Sequence, residues 1–186
     1  MRPPARIHIL GASGSGTSSL AREIVRRYGH RHLDTDDYYW LPTSPPFRET
    51  RPAARRLALL RRALAESSAW VLSGSLCGWG DPLIPEFQMI VFLAVPTPVR
   101  LARLARREAA RHGPEAIAPG GSLHQAHEEF LDWAARYDTG GPEMRSRAMH
   151  EAWLVGVACP VVRLEGDLTA DEQIRLIEAT AGSPTT

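Results

Sequence analysis

The residues that could do chemistry are concentrated in a glycine-rich stretch near the amino terminus. Residues 7–10 form a short apolar run typical of a strand, and residues 18–28 have the apolar periodicity of a helix. Gly11, Gly14 and Gly16 lie between the two. A strand, a glycine loop and a helix in this order place backbone N–H groups and the positive end of a helix dipole around an anion. We therefore predict that this stretch binds phosphate.

The loop has the spacing of the phosphate-binding motif G-x-x-x-x-G-[K]-[ST], with one departure. Gly11 and Gly16 take the glycine positions and Ser18 takes the Mg²⁺-binding hydroxyl position, but Thr17 stands where the motif has lysine. The chain contains no lysine, so all 22 of its Lys-plus-Arg residues are arginine. Positive charge at the outer phosphates must therefore come from arginine, from Mg²⁺ or from another chain. The predicted phosphate-binding residues are Gly11, Ala12, Ser13, Gly14, Ser15, Gly16, Thr17 and Ser18.

A dinucleotide site is the alternative for the same loop. The three glycines also give G-x-x-G-x-G, which resembles the loop of short-chain dehydrogenases. Asp34 and Asp36 follow about 20 positions later, where an acidic residue would suit a ribose. The Tyr-x-x-x-Lys pair that those enzymes typically use is absent from a chain without lysine. The alternative therefore stays open, with weaker support than the phosphate loop.

Two carboxylates, Asp34 and Asp36, follow a short apolar stretch at His32 and Leu33. If that stretch is a strand, its carboxyl end is the edge of an open α/β sheet where ligands bind. Carboxylates suit Mg²⁺ there, and they also suit a substrate hydroxyl. A solvated turn or a helix cap is the alternative interpretation. We predict that Asp34 and Ser18 hold Mg²⁺ and that Asp34 and Asp36 face a second substrate.

The segment at about residues 35–66 is predicted to be an acceptor-binding insert. It begins with a proline-rich, aromatic stretch in which Trp40 or Phe47 would stack on a ring, although simple packing explains these aromatics equally well. Arg48 and Arg51 would hold a phosphate with two parallel hydrogen bonds. Small residues and a further aromatic follow the predicted strand at residues 70–73. The predicted acceptor-binding residues are Asp34, Asp36, Trp40, Arg48, Arg51, Gly74 and Trp79.

Arginines are clustered after the apolar run at residues 89–95. On a helix over residues 99–111, Arg100, Arg103 and Arg107 would share a face, which favours an anionic partner over a merely solvated surface. The segment at about 108–145 is predicted to be a lid, with an aperiodic loop at 112–122. A helix over 143–153 would carry two further arginines. The predicted catalytic residues are Arg103, Arg107, Arg145 and Arg147.

Composition indicates one globular domain over residues 1–186. A net charge of +1 gives no argument for nucleic-acid binding, and no long apolar run suggests a leader or a membrane span. Cys77 and Cys159 are far apart in sequence and suit a reducing compartment. We expect a cytoplasmic monomer or weak homo-oligomer with small-molecule substrates.

Strands alternating with helices predict an α/β fold with a parallel sheet of about five strands and helices on both faces. With the phosphate loop after strand 1, this pattern resembles the nucleoside monophosphate kinase group: adenylate kinase, shikimate kinase and gluconate kinase. Val95-Pro96 followed by Arg103 and Arg107 is similar to adenylate kinase, and the Asp-Thr-Asp at residues 34–36 is similar to shikimate kinase. The Asp-Gly-Phe-Pro-Arg signature of adenylate kinase is missing after residues 70–73.

The resemblance implies a three-layer P-loop fold with a small lid and ATP- and Mg²⁺-dependent phosphoryl transfer. A nucleoside monophosphate is the first expectation for the acceptor. A small-molecule hydroxyl, as in shikimate or gluconate kinase, is the second. A nucleotide-binding module that lost catalysis together with the lysine is the third. In the kinase interpretations, the four predicted arginines neutralise the transferring phosphoryl group.

Overall fold

The computed structural model describes residues 2–44 and 46–182. The strands found among them are β1 (Arg6–Gly11), β2 (Arg31–Asp34), β3 (Trp70–Ser73), β4 (Met89–Ala94) and β5 (Val161–Glu165). They form one parallel sheet in the order β2-β3-β1-β4-β5. This confirms the predicted α/β fold. In the classic dinucleotide-binding order β2 lies beside β1, whereas β3 separates them in this chain, so the strand order favours the phosphate-loop interpretation.

Helices cover both faces of the sheet. They are α1 (Thr17–Tyr28), α2 (Thr35–Tyr39), α3 (Ala53–Ala65), α4 (Thr97–His112), α5 (Pro114–Ile117), α6 (His124–Ala135), α7 (Arg147–Val155) and α8 (Ala170–Ala181). Short 3₁₀ turns occupy Asp81–Glu86 and Arg136–Asp138. Within the described ranges, no helix is long and apolar enough to cross a membrane.

The core consists of two apolar clusters, one on each face of the sheet. On one face, α1 and α8 pack on Ile7 and Ile9 of β1; on the other, α3 and α7 pack beside Leu10 and Leu72. Strand β4 is buried on both faces, which explains why its sequence is a nearly continuous apolar run. This rigid sheet fixes the positions of the loops that follow its strands.

Local signals set several helix ends. Gly29 ends α1 in the left-handed conformation, and Thr169 and Glu172 form a capping box at the start of α8. The helix predicted over 143–153 begins only at Arg147, because the Ser146 side chain accepts a hydrogen bond from the Met149 N–H and caps the helix there. The loop predicted at 112–122 contains the short helix α5.

The carboxyl ends of four strands meet at one edge of the sheet. β1 leads into the glycine loop, and β4 leads into α4. Asp34 at the end of β2 lies beside Ser73 at the end of β3. The topology therefore gathers the glycine loop, the carboxylates and the arginine-rich helix around one space.

Candidate active site

The glycine loop leaves the amino end of α1 open to a cavity of about 880 Å³. Gly16 precedes the helix with φ of 98°, in the left-handed region that favours glycine. Because no side chain of the described residues caps α1, the N–H groups of Thr17 and Ser18 remain available to an anion. The cavity wall includes the loop residues Gly14 to Ser18 and the carboxylate of Asp34. This arrangement suits a bound polyphosphate.

Asp34 is tied directly to the hydroxyl residue of the motif. Ser18 Oγ donates to Asp34 Oδ2 at 2.8 Å, and Ser73 Oγ donates to the same oxygen at 3.0 Å. The other oxygen, Oδ1, accepts the backbone N–H of Asp36 and so caps α2. His32 Nε2 lies 2.8 Å from Ser73 Oγ and donates to it, since the Ser73 hydrogen is directed at Asp34. The carboxylate is thereby held beside the phosphate loop.

Asp36 faces a different environment. Burial raises the pKa of its carboxyl group above the usual range, while the charge of Arg145 and a hydrogen bond from the Trp40 side chain act in the opposite direction. Arg145 is half-buried, and among residues 2–44 and 46–182 it forms neither a hydrogen bond nor an ion pair. An uncommitted guanidinium near a partly desolvated carboxyl group suits a ligand with an anionic group and a hydroxyl.

Arg103 reaches from α4 to the glycine loop. Its Nη1 lies 3.5 Å from the Gly14 carbonyl oxygen and 3.3 Å from that of Ser15, and it donates to both. Its Nη2 forms an ion pair with Asp167, in the turn after β5. The guanidinium is therefore held at the mouth of the phosphate loop.

Arg107 lines the same cavity from one turn further along α4. Its side chain is half exposed, lies 3.5 Å from Glu108 and approaches the Phe130 ring at 6.0 Å. Arg106 and Arg111 also line this wall. The wall therefore carries several positive charges opposite Asp34 and Asp36.

Arg100 does not share the face of Arg103 and Arg107, contrary to the helical-wheel expectation. Its side chain is fully buried and donates to the carbonyl oxygens of Val95 and Ala134 and to Asp138. The guanidinium also lies 5.1 Å from the Tyr137 ring centre. Helical spacing alone could not separate a buried structural arginine from its cavity-lining neighbours.

The predicted acceptor residues separate into two groups. Gly74 lies against α2: a Cβ at Gly74 would be 1.9 Å from Thr35 Oγ1, and its φ is 110°. Trp40 contacts Asp36 as described, and its ring packs edge-on against Phe47, a residue of the cavity wall. Gly74 and Trp40 therefore lie beside Asp34 and Asp36 without lining the large cavity themselves.

The other three make structural or solvent contacts. Arg51 donates to the backbone carbonyls of Asp37 and Tyr38, and so ties α2 to the following segment. Trp79 is 8% exposed and packs in the apolar cluster, with its indole N–H donating to Ser75. Arg48 is exposed. None of these three lines the large cavity.

Arg147 lies outside the large cavity. It approaches Glu151 at 3.8 Å and Glu165 at 4.0 Å. It lines a smaller cavity of about 300 Å³ with Tyr137 and Asp138, beside the ends of β4 and β5. The structure thus groups Arg103 and Arg107 at the large cavity, Arg145 near Asp36, and Arg147 at a second cavity.

Sequence reasoning missed Ser73, His32 and Asp167. Ser73 and His32 act on Asp34 through strand pairing, which the register of β2 against β3 determines. Asp167, in the turn after β5, holds Arg103 through an ion pair. A predicted strand order would have revealed Ser73, because β3 must border β2 for the two to meet.

The fold and the glycine loop define a P-loop protein of the nucleoside monophosphate kinase-like group. The family model described as an AAA domain matches residues 7–118. The match covers more than half of the chain, and the chain belongs to this family. The uncharacterized protein YqaC of Bacillus subtilis (strain 168) is 46% identical over 168 residues, covering 90% of this chain and 92% of YqaC.

Other similarities are to kinases. Cytidylate kinase of Thermococcus sibiricus is 31% identical over 112 residues, which cover 55% of this chain and 56% of that protein. The structure of shikimate kinase from Acinetobacter baumannii in complex with shikimate superposes with a TM-score of 0.51 at 15% identity, covering 95% of this chain and 94% of that one. A gluconokinase structure from Sinorhizobium meliloti 1021 superposes with a TM-score of 0.51 at 20% identity, covering 97% and 95%. The two structural similarities show the fold.

Proposed function

We propose that this protein transfers a phosphoryl group from ATP to a small acceptor in a Mg²⁺-dependent reaction. The observation that carries the proposal is the hydrogen bond from Ser18 to Asp34 at the open amino end of α1. It joins the motif hydroxyl to a carboxylate inside one cavity that arginines also line. The kinases named above support the same reaction class.

The glycine loop binds the phosphates of ATP in this proposal. Backbone N–H groups of Gly14, Gly16 and the first turn of α1 supply neutral donors around the β-phosphate. Thr17 adds one hydroxyl donor without charge. Arg103 and Arg107 supply the positive charge that lysine supplies in the usual motif, because both line the cavity at the loop.

Ser18 and Asp34 would hold Mg²⁺, directly or through water. A hydroxyl and one carboxylate fit this ion, which usually takes one or two protein carboxylates and completes its shell with phosphate oxygens and water. Bound there, Mg²⁺ would neutralise charge on the phosphate oxygens. Ser73 and His32 would keep the Asp34 oxygens oriented toward the site.

The acceptor would occupy the side of the cavity near Asp36, Trp40, Gly74 and Arg145. The Asp36 carboxylate would accept a hydrogen bond from an acceptor hydroxyl, and the raised pKa suits it to take a proton. Arg145 would bind an anionic group of the acceptor or the transferring phosphoryl group. Arg147 and Arg48 were predicted to take part, but they lie outside this cavity, and the proposal does not use them.

A nucleoside monophosphate is the first choice of acceptor, supported by the cytidylate kinase similarity. A small hydroxy acid is the second, favoured by the Asp34-Thr35-Asp36 arrangement next to one uncommitted guanidinium. We place the reaction in the cytosol, where the free thiols of Cys77 and Cys159 would stay reduced.

Acceptor-dependent ADP formation tests the proposal. Purified protein is incubated with MgATP and, separately, CMP, AMP, shikimate or gluconate, with ATP binding measured in parallel by calorimetry. Faster ADP formation with one acceptor than without any supports a kinase and names its substrate class. ATP binding without turnover on any of the four favours a nucleotide-binding module that lost catalysis. No ATP binding contradicts the phosphate-site assignment.

A further inference from the structure

A buried chain of hydrogen bonds ends in the loop after β3. Ser75 Oγ lies 3.1 Å from His150 Nε2, and Tyr137 OH lies 2.8 Å from His150 Nδ1. His150 is fully buried, and Ser75 and Tyr137 are 7% and 5% exposed. The three side chains come from three separate segments of the fold. ATP binding, as proposed above, uses none of them.

Because His150 is neutral, its tautomer sets the direction in which the hydrogen bonds run. Burial and the charge of Arg145 lower its pKa to about 3. A neutral imidazole has one N–H donor and one acceptor nitrogen. If Tyr137 donates to Nδ1, then Nε2–H donates to Ser75 Oγ, and the Ser75 hydrogen is free to donate to a further oxygen. The Phe92 ring also packs edge-on against the His150 ring, with the ring centres 6.1 Å apart, and this contact restricts the orientation of the imidazole.

Ser75 lies on the acceptor side of the sheet edge. It follows Gly74, which packs tightly against Thr35, the residue between Asp34 and Asp36. β3, which ends at Ser73, lies between β1 and β2. Ser75 therefore follows a strand whose two neighbours lead into the phosphate loop and into the carboxylates.

Arg145 lies near Asp36 and His150. Its charge acts on the pKa of both groups and on that of the Cys77 thiol, two residues after Ser75. These groups therefore lie around the Arg145 guanidinium, which has no hydrogen-bond or ion-pair partner among residues 2–44 and 46–182. A serine hydroxyl and a guanidinium together are a recognition pair for an oxyanion.

We propose that Ser75 Oγ binds an oxyanion of the phosphoryl acceptor, a phosphate or a carboxylate, together with Arg145, and that His150 and Tyr137 are positioning residues. The inference rests on the proposed function and deepens it by assigning an anionic acceptor to named groups. Tyr137 orients His150, His150 orients the Ser75 hydroxyl, and that hydroxyl donates to the acceptor. No bond is made or broken in this step.

Calorimetric binding to four variants tests the inference. Wild type, Ser75→Ala, Tyr137→Phe and the control Ser67→Ala are titrated with CMP, AMP, shikimate and gluconate in the presence of a non-hydrolysable ATP analogue. Ser67 lies just before the other end of β3, and within the described part of the chain its hydroxyl bonds only the backbone of Ala69. The analogue alone is titrated into each variant as well.

Ser75→Ala is expected to raise the acceptor Kd about tenfold or more, with the Kd of the ATP analogue unchanged. Tyr137→Phe is expected to shift the acceptor Kd in the same direction by less, and Ser67→Ala not at all. A loss confined to CMP or AMP assigns a phosphate, and a loss confined to shikimate or gluconate assigns a carboxylate. Both support the inference.

An acceptor Kd in Ser75→Ala equal to that of wild type overturns the inference and leaves the proposed function intact. So does a uniform weakening of acceptor and ATP analogue, since that is the result of a purely structural role. If wild type binds neither the analogue nor any of the four compounds, the proposed function itself is contradicted and the inference falls with it.

Discussion

The guanidinium of Arg103 donates to the carbonyl oxygen of Ser15 across 3.3 Å. This contact places a positive charge at the phosphate loop of a chain whose residue 17 is threonine rather than lysine. Arg103 Nη1 is also 3.7 Å from the point that a Cβ of Gly16 would occupy. A charge held so close to the loop can act on bound phosphates without a lysine. Its rigid, planar fork differs from a mobile ammonium group, so the two are not equivalent.

Replacing Arg103 tests whether its guanidinium supplies the positive charge that lysine supplies in the usual motif. Arg103→Ala is expected to lower turnover about 100-fold or more, with a smaller effect on ATP binding, because the charge acts mainly on the transferring phosphoryl group. Turnover and ATP affinity are measured separately, with the exposed Arg175→Ala on α8 as a matched control. If Arg103→Ala lowers turnover no more than it weakens ATP binding, the catalytic role fails. Thr17→Lys in the Arg103→Ala background is expected to recover part of the loss.

The hydrogen bond between Ser18 and Asp34 leads to a prediction about Mg²⁺. Ser18→Ala and Asp34→Asn each remove an oxygen ligand or its charge, so both are expected to raise the Mg²⁺ concentration needed for half-maximal activity. The measurement is a Mg²⁺ titration of ATP turnover at fixed acceptor. Ser67→Ala is the control, since the Ser67 hydroxyl lies outside this cavity and bonds the backbone of Ala69. Identical Mg²⁺ curves for wild type and both variants would exclude these residues from the metal site.

The buried Arg100 is predicted to stabilise the fold rather than to act in catalysis. Its side chain holds two backbone carbonyls and Asp138, so Arg100→Ala leaves buried acceptors without partners. We expect the free energy of unfolding to fall by about 3–5 kcal/mol. Urea denaturation measures it, and Arg175→Ala should change it by less than about 0.5 kcal/mol. A loss of turnover at unchanged stability would contradict this assignment.

Two buried histidines predict a loss of stability in mild acid. Burial lowers the pKa of His8 to about 4 and that of His150 to about 3, from an ordinary value of 6.5. Below about pH 6.5, these histidines bind protons in the unfolded chain but stay neutral in the folded chain. Their contribution to the free energy of unfolding is therefore fully present above about pH 6.5 and is lost as the pH falls. Each histidine is expected to contribute a loss of about 1.4 kcal/mol between about pH 7.5 and about pH 5.5.

Urea denaturation at the two pH values measures this loss. His150→Gln is expected to be less stable than wild type at the higher pH, yet to lose about 1.4 kcal/mol less on acidification, since one titrating group is gone. An equal loss in wild type and variant would show that His150 does not have a lowered pKa in the folded protein.

Much of the fold was predictable because its signals are local. The apolar run of β4, the glycine that ends α1 and the capping box of α8 each act within a few residues. The carboxylates and the glycine loop could likewise be placed at one sheet edge, since parallel strands end together. The start of α7 was misplaced by a few residues because the Ser146 cap competes with helix-forming neighbours on both sides.

The roles of individual arginines could not be predicted from such local signals. Arg100, Arg103 and Arg107 have nearly the same helical spacing and composition around them, and only the packing of α6 and the following turn buries the first. Arg145 and Arg147 are two positions apart, yet one lies near Asp36 and the other near Glu165. The hydrogen bond of His150 to Ser75 spans 75 residues, a separation at which sequence spacing carries no information.

The mass of the acceptor after incubation with MgATP tests the proposed phosphoryl transfer most directly. We predict that one of CMP, AMP, shikimate and gluconate gains a single phosphoryl group, and that the gain requires the wild-type Ser18 and Arg103. Release of inorganic phosphate with every acceptor left unmodified would contradict it.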